Sequence, residues 1–313
     1  MTRFVIRRVL GMIPVMFLVS FMAFGLVHLA PGDPADALAG DPPTQKRIDM
    51  IREQYGFDDP FVVQYVSWLG DVLTGDLGAS LYTDQPVAKT ITDRLPITLN
   101  LVAGAVVVAV VIGVPAGIIA ATHRGRWVDR AINVWAASCV SLPNYFFGML
   151  LIILFVLQLG WLPAVGYTSF FDDPWGWFQH IILPCVSLSL LTMAVVTRQL
   201  RSAMVGVLEQ DYVRTAQAKG LSATSVVVKH GLKNAAIPVV TLMGAQIALL
   251  VGGTVIIERM FAIPGLGNVA VEAVTRRDMP IIQGAVLVTA VIVQLVNLLC
   301  DVAYAFLNPK VRV

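Results

Sequence analysis

The residues best equipped for chemistry in this 313-residue chain are suited to recognition rather than bond making, and they lie between Glu209 and Pro238. Asp211, Tyr212, Arg214 and Lys219 bring charge and a phenol, Thr215 a hydroxyl, and Ala216 and Ala218 are small helix formers. Gly220, followed by Leu221, supplies the positive φ that ends a helix. Ser222 then stands as an N-cap for a second helix, to which Val226, Val227 and Leu232 give an apolar side. The spacing predicts helix, tight turn, helix, with Pro238 at the entry to the next apolar run. Two readings fit: a short helix with a small-residue tip lying in a groove of another protein, or an ordinary amphipathic loop.

Groups that could make or break bonds do not converge anywhere. No G-x-x-x-x-G-K-[ST], H-E-x-x-H, G-x-S-x-G or C-x-x-C occurs, and Gly265-Leu266-Gly267 is too short a glycine motif to hold a nucleotide. The chain is therefore expected to bind no cofactor or metal and to hydrolyse no ATP by itself. His28, His123, His180 and His230 are scattered near the ends of apolar runs or between them. Cys139, Cys185 and Cys300 stand singly inside apolar stretches and read as small hydrophobes.

The elements that must position these residues are membrane spans. Hydrophobic residues make up 57% of the chain, charged ones 13%, and the mean hydropathy is +0.76; a soluble domain carries about 25% charged residues. Six apolar segments are long enough to cross a bilayer: Val9–Ala30, Thr98–Ala121, Ala131–Leu159, Gln179–Val196, Ala235–Ile257 and Met279–Leu299. The third is overlong and holds Pro143 and Asn144, so a broken or interfacial start is expected. The first has the basic start of a signal peptide (Arg3, Arg7, Arg8), and Ala37-Leu38-Ala39 imitates a cleavage site. Its apolar run exceeds the ~7–15 residues of a signal core, and it reads as a retained anchor.

Sidedness follows from Lys and Arg. With the N-terminus inside, most of the 22 basic residues fall inside, among them Arg124, Arg126 and Arg130, then Arg198, Arg201, Arg214, Lys219, Lys229 and Lys233. Both termini are expected in the cytoplasm, and the net charge of +2 is too small to imply nucleic acid. The outer segment 31–97 opens on Pro31-Gly32-Asp33-Pro34. In it, Phe61, Tyr65, Leu69 and Val72, and separately Val87, Ile91 and Leu95, recur at helical spacing. They predict short amphipathic helices packed together or on the membrane face, or a docking surface for an outer partner. Within the second span, Gly113 and Gly117 form a small-xxx-small pair for close helix approach.

No ionisable residue falls in mid-span; Glu258 and Asp301 come at span ends, and Asn144, Gln246, Gln283, Gln294 and Asn297 are neutral. Such a pathway passes a polar solute but gives a proton or sodium gradient no handle. A stand-alone secondary carrier would need a coupling charge or an inverted repeat, and a membrane enzyme would need converging catalytic groups; neither is visible. The energy source is expected on another subunit.

The segment 200–236 resembles the EAA loop of ABC-importer permeases, E-A-A-x-x-x-G followed by an apolar pair and proline. Aligned on Gly220, Ala216 matches the second alanine and Leu232 the later leucine, while Arg214, Thr215 and Lys233 replace glutamate, the first alanine and proline. The fuller string D-Y-V-R-T-A-x-A-K-G-L (residues 211–221), with H-x-L-x-N-A-x-I-P (230–238) behind it, resembles the peptide-importer branch. So do Leu77-Gly78-x-Ser80, Pro86-Val87, Arg94-Leu95-Pro96-x-Thr98-Leu99, Phe261-x-Ile263-Pro264-Gly265-Leu266-Gly267, Arg277-Asp278-x-Pro280 and Asn308-Pro309-Lys310-Val311-Arg312. The long outer loop after the first span is similar to that of the B-type permease subunit of dipeptide and oligopeptide importers.

The resemblance implies an all-α, six-span protein with the type I ABC importer permease fold, in a bacterial plasma (inner) membrane. It implies an anchor and outer loop over 1–97 and a five-helix transmembrane domain over 98–313. The implied partners are a homologous C-type permease, two ABC ATPase subunits that bind ATP and Mg, and an extracytoplasmic binding protein that delivers the peptide; glutathione, a nickel chelate or haem are alternative cargoes of the branch. Asp211, Tyr212, Arg214, Thr215, Ala216, Ala218, Lys219, Gly220 and Leu221 would form the ATPase-docking loop, with Gly220 giving the turn and Ala216 and Ala218 the close approach. Phe261, Pro264, Gly265 and Gly267 would lie in a loop over the outer mouth, either part of a gate or a structural re-entrant turn.

Overall fold

A computed structural model of the chain describes residues 2–29, 44–55 and 59–307. The strings Pro31–Pro34, Ala37–Ala39 and Asn308–Arg312 lie outside the described residues. Among the described residues the molecule is a helical bundle. Helix α1 (Thr2–Leu29) is followed by α2 (Gln45–Tyr55) and α3 (Phe61–Thr74). The periodicity of Phe61 and Tyr65 is spent on α1. Tyr65 is buried with its hydroxyl 2.8 Å from Ser20 Oγ, and its ring meets Phe21 and Phe24 edge-on.

The second repeat, Val87, Ile91 and Leu95, is not a separate amphipathic helix. It forms the opening turns of one 36-residue helix, α4 (Val87–Thr122), which contains Pro96 and runs through residues 97 and 98. At 1.5 Å per residue α4 is about 54 Å long, well beyond the ~30 Å of hydrocarbon. The apolar run stops short because Asp93, Arg94 and Pro96 interrupt it. The helix continues because Val87, Ile91 and Leu95 pack against Leu266, Ala273 and Ile281 of the C-terminal region.

The expected break in the third span is present. Helix α5 (Trp127–Ser141) gives way at Leu142–Pro143 to α6 (Asn144–Leu151), which continues as a π-helical stretch Ile152–Gln158, and the two halves meet at 105°. Helix α7 (Pro174–Leu208) starts at Asp173, whose carboxylate accepts from Trp175 N at 3.1 Å, with proline at the first helical position. Arg198 and Arg201, expected in a loop, stand on α7, because Val196, Leu200 and Met204 carry its buried stripe past the last apolar run. Among the described residues, five helices, together with the bent pair, are long and apolar enough to cross a membrane.

Helix α7 is the axis of the bundle, and α4 approaches it at the two glycines. A Cβ on Gly113 would stand 2.9 Å from Met193 O, and one on Gly117 2.9 Å from Thr197 O. Only hydrogen fits there, so the small-residue pair serves this contact. Helix α8 (Asp211–Ala218) then leads through a turn to Ala223–Ser225, a π-helical stretch Val226–Leu232 and α9 (Lys233–Met260), all one continuous rod. Pro238 sits inside that rod rather than at an entry to it. Helix α10 (Leu266–Arg276), which the apolar pattern does not announce, precedes the last span, α11 (Met279–Leu307).

Candidate functional site

The 211–232 hairpin is built as its local sequence dictates. Gln210 precedes α8 in extended conformation, and Gly220 leaves it at φ +80°. The chain reverses through Gly220 N to Gln217 O at 2.9 Å and Leu221 N to Ala216 O at 3.3 Å. Ser222 Oγ accepts from Ser225 N at 3.3 Å and caps the second helix. A Cβ on Gly220 would meet nothing within 4 Å, so the glycine is required by conformation and not by space.

Burial divides α8 into two faces. Val213 and Ala216 point inward and pack with Val226 against Leu208. Ala216 therefore serves the hairpin's own core, and close approach by another molecule is left to Ala218, Lys219 and Gly220, all exposed. Asp211, Arg214 and Thr215 share the outer face, and Tyr212 and Leu221 flank it, 45% and 42% exposed. Tyr212 is held in place because its hydroxyl accepts from Asn234 Nδ2 at 3.1 Å. The outer face thus combines small residues, both charge signs and two large apolar groups on a firmly seated helix.

At the opposite end of the bundle, residues 261–267 form a packed turn. Phe261 and Ile263 are almost fully buried, Pro264 is half-buried, and Phe261 O accepts from Gly166 N at 2.9 Å. What holds the turn is Glu258, which belongs to α9 and is fully buried. Thr98 Oγ1 donates to Glu258 Oε1 at 2.7 Å, Leu266 N donates to Thr98 Oγ1 at 2.8 Å, and Asn268 N donates to Glu258 Oε2 at 2.9 Å. The carboxylate thereby caps the N-terminus of α10 from across the turn, where a helix presents unpaired N–H groups and the positive end of its dipole. A Cβ on Gly265 would collide with that carboxyl, and one on Gly267 would stand 2.9 Å from both its Oε2 and Val255 Cα.

In the sequence Glu258 stands just past an apolar run, with no motif to give it a task. The apolar run ends at Ile257, and the partners of Glu258 come from Thr98 and from the start of α10, so no local pattern could reveal them. The motif strings nevertheless meet in space. Arg94 Nη1 reaches Pro264 O at 3.3 Å, and Ser80 Oγ donates to Asp278 Oδ2 at 2.5 Å, which joins the 77–80 and 277–280 strings.

A family model described as the inner membrane component of binding-protein-dependent transport systems matches residues 113–313. Its N-terminal counterpart matches residues 1–102. The chain belongs to this family. This permease is similar over its whole length to the glutathione transport system permease protein GsiC of Escherichia coli K12 and of Shigella flexneri serotype 5b. Identity to each is 45% over 312 residues, covering 100% of this chain and 99% of the relative. Its fold is that of the MetNI methionine ABC transporter in inward-facing conformations. That match has TM-score 0.55 and 16% identity over 70% of this chain and 96% of the other. The permease has the type I ABC importer fold, and both the hairpin and the Glu258 turn fall within the part matched by the main family model.

Proposed function

We propose that this permease forms half of the transmembrane pathway of an ATP-driven importer for small peptides, glutathione included. A second, homologous permease completes the pathway, two ATPase subunits carry ATP and Mg, and an extracytoplasmic binding protein delivers the cargo. Both termini and the 211–232 hairpin face the cytoplasm, in line with the distribution of Lys and Arg. The Glu258 turn then lies at the outer mouth, where it and α10 serve as part of the gate.

The observation that carries this reading is the hairpin: α8 spends one face on the bundle and leaves the other exposed. A helix anchored on one side and bare on the other is suited to a groove in a second protein. Asp211, Thr215, Ala218, Lys219 and Gly220 form the contact, with Arg214, Tyr212 and Leu221 at its edge. The glutathione assignment is supported by relatives of that name at 45% identity over the full chain. Closure of the ATPases on ATP displaces the hairpin and shifts the permease pair between inward- and outward-open states, a population shift driven by contacts that differ between the two.

Purification of the tagged permease in mild detergent from its own host tests the assembly. The expected result is a complex that also holds a second six-span permease and an ATPase, with hydrolysis raised by the glutathione-loaded binding protein. A permease that purifies alone and transports by itself in vesicles would overturn the reading.

A further inference from the structure

The short turn between α4 and α5 is fastened to α7 by a carboxylate that the charge pattern assigns to a loop. Asp129 is 3% exposed. Arg201 of α7 donates to it twice, Nε to Oδ1 at 2.5 Å and Nη2 to Oδ2 at 2.7 Å. Gly125 N donates to Oδ2 at 2.9 Å and Asn133 Nδ2 to Oδ1 at 2.7 Å, so the carboxylate receives four donors. Beside it, Arg124 pairs with Glu209, the residue that leaves α7 for the hairpin.

A bidentate guanidinium–carboxylate pair fixes an angle as well as a distance. An ion pair buried on one side and half-buried on the other contributes little net stability, so its worth here lies in geometry. The position of the pair is informative. Arg201 stands two turns before the end of α7, at the base of the hairpin, and Asp129 is the third residue of α5. Helix α5 runs about 22 Å from this foot to the Leu142–Pro143 break, where the chain turns through 105°. Close packing of Gly113 and Gly117 on α7 ties α4 into the same base.

We propose that Asp129 and Arg201 are positioning residues for coupling. They join the end of α7, the 123–126 turn and α5 into one body, so that displacement of the hairpin reaches the Pro143 bend inside the membrane. Helix α9, continuous with the hairpin, carries the same displacement along a second line. The inference rests on the proposed docking role of the hairpin; it concerns what happens after docking.

The test is the double variant Asp129→Asn with Arg201→Met in the assembled complex. It removes both charges together, keeps similar volumes and leaves an acceptor for Gly125. The ATPase is expected to co-purify as in the wild type and to hydrolyse ATP, while peptide transported per ATP falls about tenfold. Arg201→Lys keeps the charge but not the fork and is expected to fall between the two. Loss of the ATPase from the wild-type complex would refute the docking reading instead, so the two failures are distinct.

Transport per ATP within about twofold of wild type in both variants overturns the proposal. Should the double variant fail to assemble, the native pair still decides. Spin labels at Arg126→Cys and Gln217→Cys, with Cys300→Ser, are expected to keep their separation to within about 2 Å between nucleotide-free and ATP-trapped complexes. A change of about 5 Å or more overturns the one-body account.

Discussion

Gly220→Val is expected to abolish transport while leaving the bundle folded. Gly220 holds φ +80°, and a β-branched residue in that region is a steric outlier. The left-handed conformation costs an ordinary L-residue about 1–2 kcal/mol, and a β-branched one more. Space is not the obstacle, because a Cβ at this position meets nothing within 4 Å. The chain relieves the strain by rotating the turn, which moves Lys219 and Leu221 off the outer face and lengthens the bonds from Gly220 N and Leu221 N back to α8. Helix α8 itself stays seated through Val213 and Ala216. Global stability should therefore change by no more than about 2 kcal/mol, whereas peptide uptake should fall at least about 100-fold through loss of ATPase docking. Gly220→Asn, which tolerates positive φ, should retain far more activity. Uptake assays on the two variants, paired with ATPase co-purification, check this ranking; equal activity of valine and asparagine at position 220 would contradict it.

Glu258→Ala is the second change with a large expected effect, and it acts at the other end. Removing the carboxylate takes the acceptor from Asn268 N and from Thr98 Oγ1, both in a site closed to water. A hydrogen bond contributes about 0.5–1.5 kcal/mol net, and each buried donor left without an acceptor costs about 1–3 kcal/mol. The expected destabilisation is about 3–5 kcal/mol, read as a fall of roughly 10 °C in the melting temperature of the purified complex. Helix α10 also loses its cap, so the 261–267 turn loosens at this end of the bundle. Glu258→Gln keeps the size and one acceptor oxygen but turns an NH₂ toward another donor, and should fall between alanine and wild type. A complex carrying Glu258→Ala that melts and transports like wild type would remove Glu258 from its place as the keystone of this end.

What could be read from the sequence was local. The hairpin was legible because Gly220, Ser222 and the small residues of α8 act within a few positions of one another. The break in the third span was legible because Pro143 and Asn144 fall inside an apolar run too long for one span, although Pro96 and Pro238 are carried within helices. Helix ends were not legible, because hydrophobicity reports where the membrane is, and Val87 or Arg201 continues a helix beyond it by packing or pairing with distant partners. Arg201 lies past the last apolar residues of its span, and its partner Asp129 is 72 residues away in sequence. Glu258 is illegible for the same reason, since Thr98 lies 160 residues earlier. Ala216 shows the converse limit. Its place in the motif was legible, but which way it faces depends on Val226 and Leu208 folding back over it.

The central claim is that an external ATPase attaches at the exposed face of α8, and cysteine cross-linking from Ala218→Cys tests it most directly. In membranes containing the assembled transporter, a short bifunctional reagent at position 218 should join the permease to the ATPase subunit, and ATP trapping should change the yield. Labels at Leu73→Cys, exposed on α3 at the opposite end, should give no such product. Cross-links from position 73 to the ATPase, or none from position 218 under conditions where the complex co-purifies intact, would contradict the account.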